Sequence, residues 1–114
     1  MTGKDVNDRL STIIKDPEEL RWKSTEKLLW INDAVNMIVS IRPDAMINTS
    51  GALITITPIT ALTAGAALSI ADKWLPAVVQ YAASLCFQDE GGNKGDLDRA
   101  KLHMDNFMSF VKAL

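Results

Sequence analysis

Cysteine and histidine each occur once in this chain, as Cys86 and His103. One cysteine excludes an internal disulfide and a thiolate zinc cluster, and one histidine cannot by itself complete a conventional metal site or a catalytic triad. Proline is scarce, with four residues. There is no block of basic residues: 12 Lys and Arg against 14 Asp and Glu give a net charge of −2, scattered in sign. That balance argues against a protein that grips nucleic acid by charge, and the tryptophans do not alternate with arginines as a base-stacking platform requires. The opening residues MTGKDVNDRL hold no apolar export core, so the chain is expected to act where it is made. The apolar run around residues 61–71 is too short and too rich in Thr and Ser to span a bilayer, so no membrane association is expected. At 114 residues with 47% hydrophobic content, one globular domain covering 1–114 remains.

Charge is also missing locally. Between positions 45 and 88 only Asp72 and Lys73 are charged, so the other 70 residues carry 24 of the 26 charges. Charged side chains normally coat whatever faces water, and a neutral stretch of this length calls for cover. Another copy of the same chain would supply it. A buried helix preceded by a polar, uncharged loop would also account for the pattern.

Periodicity predicts a mainly α fold, a four-helix bundle-like domain with a β-hairpin inserted between the second and third helices. Val6, Leu10, Ile13 and Ile14 share a helical face over 5–15, ended by Asp16-Pro17. Ser24 reads as the N-cap of a second helix, with Leu28, Ile31, Val35, Ile38 and Val39 as its stripe and Pro43 after its end. The period then falls to two. Residues 46–49 and 53–57 are β-branched arms flanking Ser50-Gly51, with Ile54 and Ile56 on one face and Leu53, Thr55 and Thr57 on the other. An Ile/Thr edge without lysines is an aggregation hazard unless covered, so Ile47, Leu53, Ile54, Ile56 and Ile59 are the candidate interface between copies. Residues 60–66 read as a flexible connector. Asp72 caps a third helix that is apolar on several sides through Trp74, Leu75, Val78, Val79, Ala82, Leu85 and Cys86, and such a helix belongs in the centre. The stretch 89–96 is a Gly-rich turn, and a last helix over 97–113 has a broad apolar face from Leu97 to Leu114.

Catalytic constellations are absent from the pattern. His103 lies between Leu102 and Met104 and reads as a surface or boundary histidine. Cys86, inside an apolar helix, is expected to have a raised pKa and to be a poor nucleophile. The turn at 89–96 has neither the spaced oxygen ligands of a calcium loop nor the Lys-Ser/Thr pair of a P-loop. No cofactor and no enzymatic activity are expected. Trp22, Trp30 and Trp74 read as core or interface anchors.

Two stretches together resemble a known family. Trp30-Ile31-Asn32-Asp33-Ala34 leads through Ile38 to Ile41-Arg42-Pro43-Asp44-Ala45, a W-[LI]-N-x-A pattern followed by an R-P-D corner. From Leu75 to Phe110 comes an apolar helix with Tyr81-Ala82, an acidic turn at Gly92-Asn93, then Asp98, Ala100 and either Phe107 or Phe110. In order and spacing these resemble the head–tail adaptor (connector) proteins of tailed bacteriophages. The resemblance implies a structural virion protein of the neck. It would form a ring, usually of twelve copies, beneath the portal vertex, extending the channel through which DNA passes and offering a surface to tail or neck proteins. Phe110, Val111 and Leu114 would then dock on the portal protein. The second reading is a small helical regulatory module that captures a partner helix in an apolar groove.

Overall fold

The computed structural model describes residues 1–15, 22–89 and 94–114. Four α-helices form the domain: α1 (Gly3–Ile14), α2 (Ser24–Ile41), α3 (Leu75–Asp89) and α4 (Lys94–Ala113). The mainly α class is as expected. The Asp16-Pro17 stop lies outside the described residues, which omit 16–21 and 90–93; of the expected turn at 89–96, Asp89 belongs to α3 and residues 94–96 to α4, so the last helix starts earlier than 97.

α1 starts earlier than its apolar stripe suggests because Thr2 builds a capping box. Its hydroxyl accepts from the Asp5 amide at 3.2 Å, and the Asp5 carboxylate accepts from the Thr2 amide at 3.0 Å. Lys15 closes the helix in the left-handed conformation, φ 57°. Val6, Leu10 and Ile14 are buried. In α2 the cap falls on Lys23 rather than Ser24, and no side chain caps it. Ile31, Val35 and Ile38 lie in the core as the stripe predicts, joined by Ala34 and by Lys27, whose Nζ donates to Ser11 Oγ at 3.2 Å. A 3-10 turn, Asp72–Trp74, leads into α3 in place of an Asp72 cap, and Pro76 sits at the second position of the helix, where no amide is required. α3 is the central helix, and α1, α2 and α4 all pack against it. Small residues explain how: Ala77, Ala82, Ala83 and Ser84 are fully buried and let neighbouring backbones approach. Trp22 seals one end of α3, with its indole Nε1 donating to the Cys86 carbonyl at 2.8 Å and its ring edge-on to Phe87 at 5.4 Å.

The inserted β-hairpin is corrected. Among the described residues no sheet forms, and the pairing between the two arms reduces to one antiparallel bridge, Ile47↔Leu53. A two-stranded ribbon needs a surface to lie on, and here the second arm leaves its partner to follow the helices instead. Its alternation survives: Leu53, Thr55 and Thr57 face outward while Ile54 and Ile56 are half-buried against the core. Ile59 then inserts, 7% exposed. Asn32 fixes the strap there, donating Nδ2 to the Ile59 carbonyl (2.9 Å) and accepting the Ile59 amide on Oδ1 (3.0 Å).

Residues 60–68 are not a free connector. They wrap the start of α1, with the Gly3 amide donating to Ala66 (2.7 Å), the Lys4 amide to Thr63 (3.2 Å) and the Leu68 amide to Met1 (3.0 Å). Gly3 is required by this approach, since a Cβ there would stand 2.6 Å from the Ala61 carbonyl oxygen. The neutral segment is thus largely a wrap around its own helices. The total accessible surface, 6304 Å², matches the about 6,200 Å² typical of a self-contained monomer of 12.5 kDa. The need for cover narrows to its outermost turn.

Candidate functional site

His103, on α4, is half-buried. His103 Nδ1 lies 2.7 Å from Gln80 Oε1, an acceptor only, so the proton resides on Nδ1. Its ring stacks on Phe87 at 5.6 Å and 7°, and burial lowers its pKa, favouring the neutral imidazole. The Cys86 thiol is enclosed in the core. Among the described residues, no three His, Cys, Asp or Glu side chains gather where a metal ion could bind, and no helix is long and apolar enough to cross a membrane.

The turn at 46–54 offers different chemistry. Asn48 organises it: Oδ1 accepts from the Ser50 amide (3.0 Å), the Ser50 hydroxyl (2.7 Å) and the Ala52 amide (3.0 Å). The Asn48 amide bonds to the Ala52 carbonyl at 2.9 Å and the Ile54 amide to the Met46 carbonyl at 2.7 Å. Gly51 takes φ 84°, which favours glycine. This local framework holds Ile47 and Leu53 side by side with 49% and 76% of their surface in water. Beneath the turn lies a cleft of about 470 Å³ lined by Ile47, Asn48, Thr49, Ala71, Asp72 and Lys73, so the two charges of the neutral stretch sit at the foot of its exposed apolar tip. Of the five predicted interface residues, Ile47 and Leu53 come together at the surface. Ile54 and Ile56 turn half inward, and Ile59 belongs to the core.

The three residues expected at the C-terminal docking end point three ways. Val111 is fully buried, which removes it from any docking surface; Phe110 and Leu114 are 39% and 37% exposed. Arg42 holds this end in place. Its Nε and Nη2 grip both Asp44 oxygens at 2.9 and 2.8 Å, Nη1 donates to the Val111 carbonyl at 2.5 Å, and Nη2 also donates to the Leu114 carbonyl. The guanidinium lies 5.4 Å from the Trp74 ring centre. Hydrogen bonding to Arg42 keeps the Asp44 carboxyl below the usual carboxylate range. The corner at Arg42-Pro43-Asp44 therefore locks the end of α2 to the end of α4.

The sequence pattern gave Asn32 no role as a clamp, although an amide beside an apolar helix stripe can hold both the amide and the carbonyl of an irregular strap. Together these features define a small helical protein with an exposed apolar tip on an ordered turn. No protein-family profile, curated protein or solved structure matches the chain.

Proposed function

We propose that the protein is a structural subunit of the bacteriophage neck, an adaptor that assembles as a ring, of about twelve copies, between the portal vertex and the tail, with DNA passing through the channel unread. One observation carries the reading: Leu53 and Ile47 are held in water by an ordered turn, at the tip of a segment almost without charge. A neutral, apolar projection held by an ordered turn is suited to contact with another protein surface. A ring requires two unlike surfaces on each subunit, and the tip supplies one of them. Leu114 and Phe110, at the end fastened by Arg42, serve as the portal-facing contact.

The test is electron microscopy of the protein mixed with purified portal. A ring stacked on the portal is expected; no complex by imaging or by co-sedimentation would overturn the reading. Leu53→Lys together with Ile47→Lys should leave thermal stability almost unchanged, because both side chains are exposed, while abolishing ring formation. The second reading, a module that captures a partner helix, is favoured by the groove between α1 and α4 described next, and would show as a single bound peptide on a monomer.

A further inference from the structure

α1 and α4 flank α3 on one side without closing over it. The space between them holds two consecutive clefts joined at Ile13. One, about 280 Å³, is lined by Arg9, Ile13, Val79, Gln80 and Phe110; the other, about 350 Å³, by Ile13, Lys15, Arg99 and His103. From Arg99 to Phe110 the groove follows eleven residues of α4, roughly 16 Å, or three helical turns. The cleft at Val79 and Phe110 is mainly apolar, the one at His103 is mixed, and the charged side chains that line both, Arg9, Lys15 and Arg99, are basic. Arg99 already pairs with Asp96 at 3.2 Å, whereas Arg9 and Lys15 form no ion pair among the described residues, and His103 is held neutral by burial.

The complement is on another face of the same chain. The outer ridge of α2 presents Leu29 at 59% exposure and Met37 at 36%, interleaved with exposed Glu26 and Asp33. Neither acid forms an ion pair among the described residues. Glu26 and Asp33 are seven residues apart on one face of α2, about 10 Å along its axis, while Arg9 and Lys15 each line one of the two clefts.

We propose that copies of this chain associate head to tail, with the acidic and apolar ridge of α2 from one copy seated in the basic-rimmed α1/α4 groove of the next. Glu26 and Asp33 meet Arg9 and Lys15, and Leu29 and Met37 cover Ile13 and Phe110. One contact satisfies two acids and two bases that have no ion pair among the described residues, and it joins different elements of the two copies, so it is heterologous and propagates. It deepens the ring reading and rests on its self-association. Phe110 then serves the contact between copies and leaves Leu114 to the portal.

Charge swaps test it. Chains carrying Glu26→Arg with Asp33→Arg, or Arg9→Glu with Lys15→Glu, should keep wild-type helicity by circular dichroism, since all four residues are exposed. By sedimentation velocity at low salt, each alone should self-associate at least about tenfold more weakly than wild type, and an equimolar mixture of the two should recover association. Wild-type association should also weaken as salt is raised. Association untouched by either swap, or not recovered on mixing, would overturn the contact while leaving a ring built through Leu53 and Ile47 standing. A wild-type chain that stays monomeric at about 1 mM and low salt would overturn it as well, leaving the groove to a helix from another protein. In that case the portal-mixing experiment decides the neck assignment separately.

Discussion

Removing the Asn32 amide should show how far the neutral strap depends on one side chain. Asn32→Ala deletes two hydrogen bonds to Ile59, at 2.9 and 3.0 Å. At about 1 kcal/mol net for each, plus part of the cost of leaving the Ile59 amide and carbonyl short of partners, the loss is about 2 to 3 kcal/mol. Alanine is the better helix former by roughly 0.6 kcal/mol, which offsets a fraction. The net loss is about 2 kcal/mol. With an unfolding entropy of about 2.1 cal/mol/K per residue, each kcal/mol moves the midpoint of a chain this size by about 4 °C, so the melting temperature should fall by about 8 °C. Asn32→Asp sharpens the test. The new carboxylate keeps an acceptor for the Ile59 amide but faces the Ile59 carbonyl without a proton to donate. Its folded-state pKa is raised, so the variant should approach wild-type stability in acid and lose stability as pH rises through that pKa. Urea melts at several pH values, with hydrogen exchange at the Ile59 amide, are the assay. A loss under about 0.5 kcal/mol for Asn32→Ala, or an exchange rate at Ile59 unaltered, would refute the clamp.

Gly3→Ala should destabilise by about 1 to 3 kcal/mol in urea melts despite the better helix propensity, because the new Cβ meets backbone atoms of Ala61 and Leu62 at 2.6 and 3.0 Å. An unchanged midpoint would mean that the 60–68 wrap yields freely. His103, with its folded-state pKa lowered by burial, binds a proton more readily when unfolded, so stability should decline as pH drops below about 6.5 and level off once the folded-state pKa has been passed. His103→Gln should flatten that part of the pH profile in thermal melts. A slope that persists in the variant assigns the effect to other groups.

The helices were legible because their apolar residues recur at helical spacing and Pro43 follows the end of α2, whereas the caps expected at Ser24 and Asp72 do not form. The central place of α3 followed from its having no polar face. The strap was only half legible. Period-two alternation put Leu53 on the opposite face from Ile54 and Ile56 without saying which was outward, and the same alternation serves a strand in a sheet and an extended strap laid on helices. What separates them is the partner, here Asn32 and the start of α1, and partners distant in sequence leave no local trace. Lys27 shows the same limit from the other side. It falls in phase with Ile31, Ala34 and Ile38 on the buried face of α2, and only the fold reveals that Ser11 receives its ammonium group. Val111 was misplaced because it belongs to a face with Phe107 and Ala100, all buried against α3, while its neighbour Phe110 points a different way.

The bridge between Thr2 and Ala67 also constrains the order of events during synthesis. The earliest residues described cannot settle until a segment made some sixty positions later has left the ribosome, and the seat for Val6, Leu10 and Ile14 on α3 arrives later still. Until then the first helix carries its oily stripe uncovered, and native contacts of such long sequence separation form slowly. A nascent or truncated chain ending before α3 should therefore be a substrate for chaperones and proteases, and the fold should be committed only once α3 has been made.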